Sequence, residues 1–277
     1  MHPSSPSVFS LPEAVNTLGR FCGLCDVPAL LPQHLRSRLQ TPQADVMVLF
    51  GGSILRGGDV LARAMQDRAA RCYLIVGGEG HTTPVLREKM QALFPDLETS
   101  CMPEARLFDV YLRRRYGCSA DFLETQSTNC GNNITNMLSL LRREQIPCRS
   151  IILTQDATMQ RRMDAGLRKW EVVQIVNFPA YQADVLESDG ALAFSREIPG
   201  MWSMERYIQL LMGEIPRLRD DQGGYGPKGK AFIAHVEIPQ AVESAFSFLS
   251  GRYSVRGADD RYATSSPALL PAQGREP

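Results

Sequence analysis

The sequence predicts an α/β fold: a Rossmann-like, parallel five-stranded sheet with helices on both faces. Two observations lead to this prediction. Short continuous apolar runs alternate with segments in which apolar residues recur at helical spacing, and several of the runs end in glycines or amide-bearing residues. Continuous apolar runs are typical of strands buried on both faces, and strands that alternate with helices form parallel sheets covered on both sides.

The series of strands and helices defines a Rossmann-like domain over residues 41–180. The predicted strands are residues 46–50, 72–76, 122–123, 150–153 and 172–176. The predicted helices between and after them are residues 57–71, 84–94, 103–116, 131–145 and 157–170. Their apolar positions repeat with helical spacing, whereas the strand segments are continuously apolar.

The segments on either side of this domain follow other patterns. Residues 1–40 predict an N-terminal helical segment of two short helices joined by a turn. Residues 181–253 predict a smaller C-terminal appendage of helices and loops, with a helix at 202–213 and a short strand at 232–236. Residues 254–277 are rich in Pro, Ala, Ser and Gly, a composition typical of a disordered tail.

Composition argues against several classes of partner. The 277 residues include 30 Lys plus Arg and 30 Asp plus Glu, so the formal net charge is zero and gives no general attraction to nucleic acid or an anionic membrane. No apolar run approaches the roughly 18 residues that span a bilayer, and the N-terminus lacks the pattern of a signal peptide. Seven scattered cysteines favour reduced thiols. We expect a cytoplasmic protein without nucleic-acid or membrane partners, of undetermined oligomeric state.

Polar residues follow two neighbouring predicted strands. Residues 124–133 read Glu-Thr-Gln-Ser-Thr-Asn-Cys-Gly-Asn-Asn, and residues 154–162 read Thr-Gln-Asp-Ala-Thr-Met-Gln-Arg-Arg. Each segment leads from a strand into a helix, whose first N–H groups lack partners and lie at the positive end of the helix dipole. Because the carboxyl ends of parallel strands meet at one edge, these segments predict a site for a small polar or anionic molecule.

Candidate ligand-binding residues come from four of the strand ends. Glycines there let a ligand lie against the backbone, although tight turns alone would also use them. The hydroxyl and amide side chains exceed the single residue that a helix cap requires, and an arginine can bind a carboxylate or phosphate bidentately. The candidates are Gly51, Gly52, Gly78, Gly80, His81, Thr128, Asn129, Asn133, Gln155, Asp156 and Arg162. The histidines and cysteines form no cluster with ligand spacing, so no metal site is predicted.

A long polar segment in the C-terminal part, residues 217–227, is also a candidate for this site. It is rich in glycine, and a loop of this length in a compact protein is usually functional or disordered. We expect it to fold over the pocket as a lid or wall, with Tyr225 available to stack on a planar ligand. A solvent-exposed connection to the last helix is the alternative.

Four motifs resemble those of the YdcF/SanA/ElyC-like family. They are the glycine pair 51–52, the glycine-rich turn 77–81, and the segments 126–133 and 154–162. The resemblance implies a Rossmann-like sheet with a helical C-terminal appendage and a capacity to bind S-adenosyl-L-methionine, without a settled reaction. Asn132 stands where the family usually has Glu, and Thr158 where it often has His, so catalytic roles are not carried over to them. Glu88 matches a recurrent acid of the family.

Three functions remain open at this point. The first is binding of S-adenosyl-L-methionine or a similar nucleoside-bearing ligand, in a transferase if methyl transfer follows. The second is a hydrolase or transferase acting on a phosphate-bearing substrate, and the third is a non-catalytic metabolite sensor. The second predicted strand ends in glycines, where standard methyltransferases have an acid for the ribose. No sequence feature decides between a binding protein and an enzyme.

Overall fold

Five parallel strands form the central sheet of the computed structural model, which describes residues 9–170 and 173–254. The strands are β1 (Ala44–Phe50), β2 (Ala70–Val76), β3 (Phe122–Glu124), β4 (Ser150–Thr154) and β5 (Gln174–Asn177). Their order is β3-β2-β1-β4-β5, and each neighbouring pair is parallel. The predicted α/β class is confirmed. Val172, the first residue of the predicted fifth strand, lies outside the described residues.

Helices pack on both faces of this sheet. The helices are α1 (Leu11–Cys22), α2 (Pro32–Leu39), α3 (Arg56–Gln66), α4 (Thr83–Leu93), α5 (Glu104–Tyr116), α6 (Cys130–Arg143), α7 (Gln160–Trp170), α8 (Met204–Leu218) and α9 (Gln240–Ser250). Successive side chains of a strand point to opposite faces. Met47 and Leu49 of β1 therefore lie in a core with residues of α3, α4 and α5, whereas Val46 and Val48 lie in a core with residues of α6 and α7.

A third core joins the two ends of the described chain. Buried residues of α1 pack with α8 and α9, and next to them lies an antiparallel hairpin of β6 (Val185–Ser188) and β7 (Ala191–Phe194). The two N-terminal helices are thus divided between cores, because Leu35 and Leu39 of α2 pack beneath the sheet. This third core places α8 beside the carboxyl ends of the strands.

Three details of the C-terminal part differ from the sequence prediction. The predicted strand at 232–236 is wrong: the segment is irregular, and its Ala234 N–H donates to the carbonyl of Ala165 in α7 at 2.9 Å. The β6–β7 hairpin goes unpredicted, although its turn residues Asp189 and Gly190 both have positive φ, as two-residue hairpin turns require. Helix α8 continues to Leu218, five residues beyond the predicted end.

The predicted disordered tail lies almost entirely outside the described ranges, whereas most of the predicted N-terminal helical segment lies within them. Residues 1–8 and the predicted tail from residue 255 onwards belong to the parts that are not described. Within residues 9–170 and 173–254, no helix combines the length and the apolar character needed to cross a bilayer.

Candidate functional site

A cavity of about 470 Å³ opens at the carboxyl ends of the strands. It lies beside β1 and β4, between which the order of strand addition reverses, and open α/β sheets bind ligands at this point. Its volume falls in the range of small-molecule sites, about 300–1,000 Å³. The eleven predicted residues all line it: Gly51, Gly52, Gly78, Gly80, His81, Thr128, Asn129, Asn133, Gln155, Asp156 and Arg162.

The glycine turns after β1 and β2 pack against each other at the floor of the cavity. A Cβ atom on Gly51 would lie 3.2 Å from the Cα of Gly77, and one on Gly78 would collide with the backbone of Ser127. At Gly80 the nearest atom would be 3.6 Å away, which is an ordinary contact. Close packing against the Glu104 side chain and Gly77 therefore explains the glycine at 51, and packing against the backbone of Ser127 explains that at 78, whereas Gly80 is not sterically required.

Glu104, at the start of α5, is a floor residue that the sequence analysis missed. Its side chain is buried, and Oε1 accepts hydrogen bonds from the hydroxyls of Thr82 at 3.0 Å and Thr83 at 2.8 Å. Oε2 lies against Gly51. Burial raises the pKa of this carboxyl despite the two hydroxyl donors. The backbone N–H of Glu104 donates to the carbonyl of Gly78 at 2.9 Å, which brings an acid to the end of β2.

The first turn of α6 forms a second part of the floor. Asn129 is the N-cap: its side chain accepts from the N–H of Asn132 at 3.0 Å, and the side-chain oxygen of Asn132 accepts from the N–H of Asn129 at 2.9 Å. Asn132 thus completes the capping box that the expected Glu would form. The side chain of Asn129 is occupied by this cap. The N–H groups of Cys130 and Gly131 have no intrahelical partner, because they lie in the first turn.

Two buried polar side chains in the cavity wall have no hydrogen-bond partner among the described residues. The Oγ of Ser53 is completely buried. The side-chain amide of Asn133, with 9% of the residue exposed, makes no hydrogen bond within the same ranges. Leaving such a group unpaired costs about 1–3 kcal/mol. A bound molecule or water in the cavity can pair with the Asn133 amide, whereas the Oγ of Ser53 has no accessible surface in this conformation. Asn133 was predicted, whereas Ser53 was missed because a lone serine after a glycine pair carries no distinctive signal.

Asp156 holds another wall residue, Trp202, in position. Oδ2 of Asp156 accepts from the indole N–H of Trp202 at 2.7 Å. Its Oδ1 accepts from the hydroxyls of Tyr181 at 2.7 Å and Thr158 at 2.9 Å. Gln155 is also tied into the turn, since its side-chain oxygen accepts from the N–H of Asp156. The two predicted residues therefore shape the cavity through internal hydrogen bonds, and the position of Trp202 could not be deduced from its local sequence.

Arg162 forms a buried bidentate ion pair with Glu214 of α8. Nε lies 2.6 Å from Oε2, and the second guanidinium contact is 2.9 Å. The side chains are 13% and 6% exposed. Burial alone would lower the pKa of Arg162, but the neighbouring Cys130 and Glu214 hold it well above its usual value. The bidentate contact expected of this arginine is thus made with a carboxylate of the chain itself.

The segment after α8 forms part of the cavity wall. Tyr225 and Arg217 from the predicted lid or wall region line the cavity, together with Lys230 and Phe232 beyond it. The N–H of Tyr225 donates to the carbonyl of Arg217 at 2.9 Å, and the N–H of Gly224 donates to the side chain of Asp221 at 2.9 Å. These hydrogen bonds fix the segment against the end of α8. Within residues 217–227, Arg217 and Tyr225 line the cavity, whereas residues 221–223 and Pro227 are exposed, so the lid or wall and the solvent-exposed connection both stay predictions.

His81 and Glu88, both singled out in the sequence, differ in whether they reach the cavity. His81 is an exposed residue at the cavity, whereas Glu88 is exposed on α4 and does not line it. In the described ranges, no group of three or more His, Cys, Asp and Glu residues is arranged to hold a metal ion. No protein-family model matches the chain. The cavity itself is therefore the basis for a functional assignment.

Proposed function

We propose that the cavity binds a small molecule containing a nucleoside, with S-adenosyl-L-methionine as the first candidate. The observation that carries this proposal is the side-chain amide of Asn133, which lines the cavity and makes no hydrogen bond with any described residue. Polar groups that are mostly buried are nearly always hydrogen-bonded in native proteins, so a polar ligand that pairs with this amide would stabilise the site. We also infer membership of the YdcF/SanA/ElyC-like family, from the motifs at 126–133 and 154–162.

The position of Glu104 supports a ribose-containing ligand. In Rossmann dinucleotide-binding folds, an acid near the end of the second strand accepts hydrogen bonds from ribose hydroxyls. Here β2 ends in glycines, but Glu104 reaches the same place from α5, where its N–H bonds the Gly78 carbonyl. One carboxylate oxygen is held by Thr82 and Thr83, so the other is the acceptor offered to a ligand.

Trp202 supports a planar group in the ligand. Its indole N–H is fixed by Asp156, and its ring lies 5.2 Å from the Nζ atom of Lys89. Lys89 also donates to the carbonyls of Ser53 and Gly200, each at 2.7 Å, and so joins the turn after β1 to the segment that carries Trp202. A rigidly held aromatic ring in a cavity is a suitable surface for a nucleobase to stack on.

The first turn of α6 is evidence for an anionic end group in the ligand. The N–H groups of Cys130 and Gly131 are the free donors of this turn, and a helix N-terminus favours a carboxylate or phosphate. An amino-acid carboxylate, as in S-adenosyl-L-methionine, satisfies this requirement. We assign no reaction, because no pair of groups in the cavity forms a recognised nucleophile and base.

Isothermal titration of S-adenosyl-L-methionine, ATP and a sugar nucleotide tests this proposal. We expect saturable binding of S-adenosyl-L-methionine, weakened roughly fivefold in Asn133→Ala, since a lost hydrogen bond to a ligand is worth about 1 kcal/mol. Asn136→Ala is the matched control: it lies on the same helix, its side chain donates to Glu124, and it does not line the cavity. Its affinity should stay within about twofold of wild type.

Two outcomes would contradict the proposal. One is the absence of saturable binding for every nucleoside ligand, and the other is an equal loss of affinity in Asn133→Ala and Asn136→Ala. Substitution of Asn129 or Arg162 is less informative, because the first removes a helix cap and the second leaves Glu214 buried without its partner. Tighter binding of ATP than of S-adenosyl-L-methionine would favour the phosphate-bearing ligand instead.

A further inference from the structure

The charge on the cavity walls differs from that of the whole chain. The chain has a formal net charge of zero, whereas five Lys or Arg side chains and three Asp or Glu side chains line the cavity. The three acids are Glu104, Asp156 and Glu214, each with the hydrogen-bond partners described above. An excess of positive charge in a partly enclosed space attracts anions more strongly than the same charges on an open surface.

Three of the cations come from elements that contact one another in one wall of the cavity, and two of them, Lys169 and Lys230, are exposed. The Nζ atom of Lys169, in α7, donates to the carbonyl of Ala231 at 2.5 Å, directly beside Lys230. Nζ of Lys230 lies 5.3 Å from the centroid of the Tyr225 ring, and the N–H of Tyr225 donates to the carbonyl of Arg217. Lys169, Arg217 and Lys230 are called the cationic wall below. They come from α7, α8 and the segment after α8, so only the folded chain assembles them.

The cationic wall is poorly matched by acids. The nearest carboxylate oxygen to Arg217 is that of Glu214, at 3.9 Å, and Glu214 already binds Arg162. Over the described ranges, no carboxylate lies within 4.0 Å of the ammonium of Lys169 or Lys230. These two groups instead contact a backbone carbonyl and aromatic faces, including the Trp170 ring at 4.5 Å from Lys169. Such contacts hold a cation in place without neutralising it.

We propose that the cationic wall binds a phosphate group, carried either by the nucleoside ligand or by a second substrate. This rests on the proposed function, because it puts the phosphate in the same cavity as the nucleoside. A phosphate ester has close to two negative charges and three acceptor oxygens, which suit two ammonium groups and one guanidinium. A single carboxylate would leave part of this charge unmatched.

The two tryptophans of the chain provide a direct test. Trp170 and Trp202 both line the cavity, so intrinsic fluorescence of the full chain reports binding there. Inorganic pyrophosphate is titrated at constant ionic strength, with NaCl as the replaced salt. We expect saturable binding that weakens at least roughly tenfold in the double variant Lys169→Gln/Lys230→Gln, since both ammonium groups that would contact the phosphate lose their charge.

Lys228→Gln is the matched control. It removes one positive charge from the segment that carries Lys230, but Lys228 does not line the cavity, so affinity should remain within about twofold of wild type. The proposal is wrong if pyrophosphate does not saturate wild type, or if the double variant and wild type bind it equally. Citrate binding as tightly as pyrophosphate would also contradict the assignment to phosphate. Circular dichroism of each variant establishes that it is folded.

Failure of the phosphate-site proposal can be distinguished from failure of the proposed nucleoside-binding function. The double variant should keep its affinity for S-adenosyl-L-methionine within about threefold, because the nucleoside contacts lie at the strand ends. Pyrophosphate binding without any nucleoside binding would reject the proposed function and leave the phosphate site standing. Tighter binding of AMP than of adenosine would assign the phosphate to the nucleoside ligand, whereas equal binding would assign it to a second substrate.

Discussion

The two halves of the cavity are built in different ways. The strand-end half consists of the turns after β1, β2, β3 and β4 with the first turn of α6, and its capping box joins residues three positions apart. The C-terminal wall consists of α8 and the segment up to Phe232, and it is attached through contacts between distant residues. Arg162 and Glu214 are 52 positions apart, and Lys169 and Ala231 are 62 apart. Local motifs therefore reveal the first half, whereas tertiary packing creates the second.

The largest expected effect comes from breaking the ion pair that attaches the C-terminal wall. Glu214→Ala leaves the guanidinium of Arg162 buried without a counter-charge, and loss of one partner of such a pair costs about 3–5 kcal/mol. We expect a decrease of that size in the free energy of unfolding, measured by urea denaturation. The double variant Arg162→Met/Glu214→Leu should recover most of it, because it leaves no charge unpaired.

A second ion pair in the same wall provides the control. Arg219 and Glu243 are also in bidentate contact, at 3.0 and 2.6 Å, but each side chain is 32% exposed. Glu243→Ala should therefore lower the unfolding free energy by no more than about 1 kcal/mol. Equal losses in Glu214→Ala and Glu243→Ala would mean that burial of the first pair does not determine how firmly the wall is attached.

A smaller effect is expected in the strand-end half, where two glycines of the same turn differ. A Cβ on Gly78 would collide with the carbonyl of Ser127, whereas one on Gly80 would meet only an ordinary contact at 3.6 Å. We expect Gly78→Ala to lower the free energy of unfolding by about 1–3 kcal/mol, as overpacking does, and Gly80→Ala to change it little. Thermal denaturation of both variants measures this. Similar losses in the two variants would show that the backbone of the turn adapts to a side chain.

The sheet and its edge could be predicted because burial leaves a local signal. β1 is covered on both faces, so Met47, Val48 and Leu49 are all apolar, and the strand can be recognised without knowledge of its neighbours. Once the strands are parallel, their carboxyl ends meet at one edge. This geometry explains why all eleven candidate residues line a single cavity. Whether they bind a ligand stays a prediction.

The residues that were missed reach the cavity through tertiary contacts. Glu104 belongs to a helix more than twenty positions after β2, and it joins the floor because α5 packs on the turn at Gly78. Trp202 is positioned by Asp156, and Glu214 by Arg162. Nothing near these residues in the sequence marks them. The β6–β7 hairpin is a different case. Asp189-Gly190 is a recognised turn signal, but the strands on either side of it are short and exposed, so they give only a weak signal in the sequence.

The smallest expected effect concerns the end of the C-terminal wall, where His235 joins two acids. Nδ1 of His235 lies 2.8 Å from Oδ2 of Asp220, and Nε2 lies 3.4 Å from Oε2 of Glu237. These contacts, that with Asp220 first, raise the pKa of His235 above its ordinary value of 6.5. The pKa of Asp220 is lowered, chiefly by the hydrogen bond from the N–H of Lys228 and also by His235. Asp220 in this way ties His235 to the loop after α8.

The sign of the resulting pH dependence follows from the raised pKa of His235. Its contribution to stability is fully present below the unfolded value of about 6.5, and it is lost as pH rises through the higher folded value. From about pH 6 to about pH 8, we expect the Tm of wild type to fall more steeply than that of His235→Gln. The difference should be small and should shrink in high salt, because the imidazole is 54% exposed. Two results would show that the contact between His235 and Asp220 does not stabilise the wall. One is a titration midpoint of His235 at or below 6.5 by NMR, and the other is parallel dependence of Tm on pH in wild type and His235→Gln. The anchoring of the wall would then depend on the buried pair of Arg162 and Glu214 and on backbone hydrogen bonds.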